Sequence, residues 1–88
     1  MNSEIEKLRQ ELDKIDNLII SQLNERFKTT HQIGKIKKKY DLEIQQSSRE
    51  TEIINRIRDK CKNSQFEDAI VRVYRYIMSI SKDEQSKL

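Results

Sequence analysis

An 88-residue chain that is 34% apolar and 38% charged makes a single domain, 1–88, whose own core is marginal without help. The absence of proline, the one glycine and the scarcity of β-branched runs exclude a sheet protein with tight turns, and strong helical periodicity decides against disorder, so the fold class is all-α. A net charge of +3 suits a small anion or an acidic partner and is too modest and too evenly spread to demand nucleic acid.

The first predicted element covers residues 3–40 and opens with Ser3 and Glu6 in capping-box spacing. Ile5, Leu8, Leu12, Ile15 and Ile19 step by three and four, as in a coiled-coil seam, and Leu23 and Ile33 extend the stripe. At about 100° per residue, Arg26 and Lys37 fall within roughly 20° of Ile19, inside that apolar stripe. Arg9 lies about 80° off it, beside the seam. A helix of this length spans roughly 55 Å, while a compact monomer of this size has a radius of gyration of about 12 Å. Two shorter helices folding back along it leave a seam uncovered, and a second copy of the chain is the natural cover. A homodimer is expected.

Asp41 to Ser48 loses the period and reads as a loop. Ser47 and Glu50 then stand in capping-box spacing, opening a second helix from about Arg49 to Cys61. Glu50, Ile54, Ile57 and Cys61 share its apolar face, with Arg49 at the margin. Asn63 and Ser64 break the pattern, and Ser64 with Glu67 opens a third helix from about Gln65 to Glu84. Its stripe is Phe66, Ile70, Tyr74 and Ile77, which four-residue steps carry on through Ser81 to Gln85.

Polar residues therefore point inward on all three helices: Arg26, Lys37, Glu50, Ser81 and Gln85. Each has an ordinary reading taken alone. A long cation snorkels, a first-turn glutamate completes a cap, a serine bonds back to its own helix and a C-terminal glutamine frays. Their coincidence on three inward faces points instead to a polar pocket inside a helical bundle, with cations that call for an anionic ligand. Such an inventory has no activated nucleophile and no metal-ligand cluster, and there is no phosphate loop, CxxC or HExxH. It suits a reaction that needs only conformational restraint and stabilisation of developing charge, such as a rearrangement or some eliminations.

Other features carry less. The run Lys35 to Lys39 resembles a nucleic-acid patch but reads better as a solvated face, with Lys37 pointing away from Lys35 and Lys38. His31 lacks partners at metal or triad spacing, and Cys61 reads as a small core residue. A lone cysteine fits a reducing compartment. With no apolar leader and no apolar run near 18 residues, a cytoplasmic protein without membrane contact is expected. Gly34 costs about 1 kcal/mol against alanine in mid-helix, which close approach of another helix or a ligand would justify.

The segments LRQELDKID, LNERF, IGKIKKKY, SSRETEII and YRYIMSISKDEQ resemble the AroQ-type chorismate mutase domain over nearly the whole chain. The resemblance implies an intertwined homodimer of three-helix chains that rearranges chorismate to prephenate without a cofactor, in aromatic amino acid biosynthesis on the shikimate pathway. It implies that Arg26, with Arg9 from the partner subunit, pairs with the two substrate carboxylates. Lys37 and Gln85 would donate to the ether oxygen, Glu50 would accept from the ring hydroxyl, Ser81 would assist a carboxylate, and Arg49 would orient Glu50 and the ligand end. Gln46 stands where the family often has Asp, so a contact there departs from the pattern. Register with Ser81 and Gln85 needs a gap of about one residue near Asn63, a tolerable loop change. An isochorismate pyruvate-lyase shares the same implied clamps, and a non-catalytic dimerisation or nucleic-acid-binding module is the alternative of another class.

Overall fold

The structure, a computed structural model, describes residues 2–88. Among them are three helices and no strand: α1 (Ser3–Lys39), α2 (Ser47–Lys60) and α3 (Glu67–Ser86). α3 lies between the other two, packing on both, while α1 and α2 do not pack on each other.

The three expected capping boxes do not form. Asn2 caps α1, its Oδ1 accepting from the backbone N–H of Glu4 at 2.9 Å and of Ile5 at 3.2 Å. Asn is as good a cap as Ser, and one position earlier it satisfies the same orphan donors, so Ser3 becomes the first helical residue. Glu6 turns to Arg9 instead. α2 begins two residues before the expected start, at Ser47, with Gln46 as an N-cap that makes no side-chain bond. Ser64 Oγ accepts from the Phe66 N–H in a local turn, and α3 starts beyond it at Glu67.

The end of α1 is closed by its own backbone. Asp41 adopts a left-handed φ of 55°, which lets the N–H of Leu42 reach the Lys37 carbonyl at 2.7 Å and that of Asp41 reach Lys38 at 3.4 Å. This paired arrangement stops the helix and turns the chain back towards it. Asn63, with a φ of 72°, makes the corresponding break between α2 and α3.

The core is small: Ile53, Ile54 and Ile57 of α2 meet Val71 and Met78 of α3, with Cys61, Ile70 and Tyr74 at its edge. Val71 and Met78 were not on the expected α3 stripe, and Phe66, which was, is exposed. Sandwiching explains the difference. α3 must bury one face against α2 through Val71 and Met78, and a second against α1 through Tyr74 and Ile77.

Every residue from Asn2 to Gln22 is exposed, including Ile5, Leu8, Leu12, Ile15, Leu18, Ile19 and Ile20. α1 therefore projects well beyond its neighbours, and the radius of gyration is 16.6 Å with a longest extent of 56 Å. The expected long, uncovered seam is present. In α1 the only buried residue is Gly34, where the C-terminal end of α3 crosses.

Candidate active site

One cleft of about 270 Å³ opens at the C-terminal end of α1, bounded by the α1–α2 loop, the first turn of α2 and the last turns of α3. α1 supplies Arg26 and Lys37, the loop Gln46, α2 Arg49 and Glu50, and α3 Ser81 and Gln85. Of the site residues expected from the sequence, only Arg9 is elsewhere. It sits on the bare half of α1, with its guanidinium 2.9 Å from Glu6. Ile33, Ile44, Ile53 and Met78 give the cleft an apolar floor.

The polar groups are held from several directions. Arg26 Nη1 donates to Ser81 Oγ at 3.2 Å, and that hydroxyl donates in turn to the Ile77 carbonyl at 2.9 Å. Ser81 does bond back to its own helix, and the bond orients its oxygen towards Arg26. The Arg26 guanidinium also lies over the Tyr74 ring, 5.9 Å from its centroid. A guanidinium has five N–H donors, so most of them stay open to a ligand.

Lys37 is fixed at both ends. Its carbonyl takes the helix-closing bond from Leu42, and its Nζ donates to the Ile44 carbonyl at 2.8 Å, leaving two ammonium protons. Neither Arg26 nor Lys37 belongs to an ion pair among the described residues. Two part-buried cations without a carboxylate are a standing electrostatic demand for an anion.

Gln85 is 8% exposed and Ser81 5%, the two buried polar side chains of the chain's described residues. Gln85 Nε2 donates to the Thr30 carbonyl at 3.1 Å, which leaves one amide proton free. Its Oε1 is buried without a partner. An orphaned buried acceptor is costly unless something that enters the cleft satisfies it.

Two details were not legible beforehand. Arg49 hydrogen-bonds Glu52 one turn along α2 at 3.2 Å, so it is not the residue that orients Glu50 here. Glu50 instead pairs with Lys82 across to α3, at 3.0 Å. Lys82 lines the cleft and was missed. It stands four residues after Met78, so the angular test that picked out Arg26 finds it once Met78 is known to face inward. No group of three or more His, Cys, Asp or Glu placed to hold a metal occurs among the described residues.

A three-helix chain with four cations and one carboxylate around a small, part-apolar cleft is an all-α domain whose cleft carries an excess of positive charge. More narrowly, the chain belongs to the chorismate mutase type II family, whose pattern matches residues 8–86. The bifunctional chorismate mutase/prephenate dehydratase of Aquifex aeolicus (strain VF5) is 38% identical over an alignment of 89 residues, which takes in 97% of this chain. The chain spans 25% of that relative's length. Among solved structures, a conserved hypothetical protein from Pyrococcus furiosus superposes with a TM-score of 0.78 at 36% identity, over 97% of this chain and 99% of that one. Among the described residues, no helix is long and apolar enough to cross a membrane.

Proposed function

We propose that the chain is a chorismate mutase, a single domain over 1–88 that converts chorismate to prephenate by a Claisen rearrangement. The observation that carries this reading is convergence: Arg26, Lys37, Gln46, Arg49, Glu50, Ser81 and Gln85, drawn from three helices and a loop, line one cleft. Family membership supplies the substrate, and the geometry suits it.

In this reading Arg26, steadied by Ser81 and Tyr74, grips one substrate carboxylate in a charge-assisted fork. Clamping presses the enolpyruvyl arm over the ring, converting a rare conformer into the resident one. The reaction breaks the ether C–O bond as a C–C bond forms, and no proton or electron enters or leaves. Negative charge gathers on the ether oxygen as the bond stretches. The two remaining Lys37 protons and the free Gln85 amide proton are the donors for it. Donors already fixed by Ile44 and Thr30 need no reorganisation, so they favour the transition state over the ground state. Glu50 accepts from the ring hydroxyl through the oxygen that Lys82 leaves free.

The second carboxylate is assigned to Arg9 of a partner subunit, in an intertwined homodimer. Support comes from the bare first half of α1, where seven large apolar residues lie open to solvent and Arg9 sits beside them. Each such side chain gains about 1.5–3 kcal/mol on full burial, an ample driving force for pairing. Aromatic amino acid biosynthesis in the cytoplasm is the setting that goes with this activity.

The test is a chorismate-consumption assay with product identification. Prephenate from chorismate supports the reading. Salicylate and pyruvate from isochorismate, with no prephenate, would replace it with the lyase.

A further inference from the structure

We propose that Lys82 is a positioning residue of the cleft: it holds the Glu50 carboxylate so that one oxygen faces the ligand, and with Glu50 it closes the cleft's outer wall. The inference rests on the mutase reading, because the role of Glu50 does.

α2 does not pack on α1, so the place of Glu50 relative to Arg26 and Lys37 is set through α3. Two ion pairs tie α2 to α3, Glu50–Lys82 at one end and Arg58–Asp68 at the other, at 3.0 and 3.1 Å. They differ in setting. Arg58 and Asp68 side chains are 43% and 86% exposed, whereas Lys82 and Glu50 are 33% and 29%. No other ion pair among the described residues has both partners so sheltered. Solvated pairs contribute little, while sheltered ones are screened less and hold their geometry.

Lys82 is also the one cation paired with Glu50, since the adjacent Arg49 is engaged with Glu52. A carboxylate with one oxygen taken by an ammonium from the facing helix is restrained in rotation. Its other oxygen then faces the ligand as an acceptor already in place.

The pair sits at a boundary. Glu50, Met78 and Lys82 line the active cleft, and the same three residues line a larger groove of about 570 Å³ between α2 and α3, flanked by Arg58 and Arg75. Bridging Glu50 to Lys82 separates the two spaces.

The experiment compares steady-state kinetics of Lys82→Met, Lys82→Arg, Arg58→Met, Glu50→Gln and Lys82→Met/Glu50→Gln, with far-UV circular dichroism and thermal unfolding of each. Lys82→Met keeps the stem and removes the charge. Its kcat/KM is expected to fall about ten- to a hundredfold, the scale of a misplaced catalytic contact, and Lys82→Arg to recover most of it. In the Glu50→Gln background Lys82→Met costs little more, because both act on one group. Arg58→Met cuts the other, more solvated tie, shifts unfolding by no more than Lys82→Met does and leaves turnover unchanged. Wild-type kinetics in Lys82→Met, additive losses in the double variant, or an equal loss of turnover in Arg58→Met would each overturn the inference. A folded wild-type chain that fails to rearrange chorismate overturns the mutase reading and this inference with it. An active wild type with an indifferent Lys82 overturns this inference alone.

Discussion

Gly34 of α1 and Gln85 of α3 touch so closely that a methyl group does not fit between them: a Cβ on Gly34 would lie 2.8 Å from Gln85 Cγ and 3.3 Å from its Cβ. Leu88 Cδ1 would be equally near, at 2.8 Å. The glycine is there for the approach of α3, and that approach delivers the Gln85 amide to the cleft.

Gly34→Ala is therefore expected to run against helix propensity. Propensity alone favours alanine by about 1 kcal/mol, while overpacking costs about 1–3 kcal/mol. Leu88 can swing aside, but Gln85 is hit close to its backbone. The thermal midpoint should fall, and kcat should drop by about tenfold or more as the amide shifts from Thr30. A variant more stable than wild type with full turnover would show the contact to be slack.

Lys37 and Lys38 are neighbours in sequence with opposite surroundings, one bonded to the loop carbonyl in the cleft, the other exposed. Lys37→Ala should lose about a hundredfold or more in kcat, the cost of one donor to a developing oxyanion. Lys38→Ala should turn over like wild type. Equal effects in a turnover assay, or equal effects on salt-sensitive nucleic-acid binding with no turnover in either, would point to the lysine-rich face instead.

Arg26→Lys keeps the charge and loses the fork and the stacking on Tyr74. Its kcat/KM should resemble that of Arg26→Ala, at least tenfold below wild type, rather than that of the parent. A lysine variant with full activity would reduce Arg26 to a point charge.

Gln85→Glu would put a carboxyl group into a buried position beside the Thr30 carbonyl. Burial and that carbonyl disfavour the ionised form, while Arg26 and Lys37 in the same cleft favour it, and the pH at which the variant loses activity reads the balance. Only the protonated acid can donate to the ether oxygen. Turnover of this variant should be present at low pH and fall as pH rises, while the wild-type glutamine, which does not titrate, shows no such limb. A pH–rate profile of both proteins decides it.

Arg9→Ala and Arg26→Ala should each be nearly inactive, and mixing the two should restore activity. If Arg9 acts across subunits, half of the randomly mixed dimers carry one intact site each, so about a quarter of wild-type activity returns. No recovery, or a folded active monomer by light scattering, would place Arg9 outside the site.

Much of this was legible because the anomalies were polar residues at apolar helical positions. Arg26, Lys37, Glu50, Ser81 and Gln85 share a cleft because a three- and four-residue period fixes which side chains share a face, whatever the helix ends do. The ends were less legible. Asn2 and Ser3 are near-equal caps by residue type, and only geometry chooses between them. The turn of α3 was also missed, since a helix packed on two sides has no single stripe for periodicity to find. Lys82 was hidden for that reason. Its four-residue relation to Met78 has meaning only once Met78 is seen to face α2.

If a second copy covers the bare half of α1, that half ties performance to abundance. A chain that leaves twenty-one consecutive residues, Asn2 to Gln22, open to solvent has little of its own to hold that half in place. If each active site borrows Arg9 from a second copy, dilution removes a site residue and a helix partner in one step. Specific activity would then fall with concentration while each intact dimer works at full speed, and melting temperature would fall with it. The protein's output would respond to its own supply more steeply than in proportion, with no regulatory ligand involved.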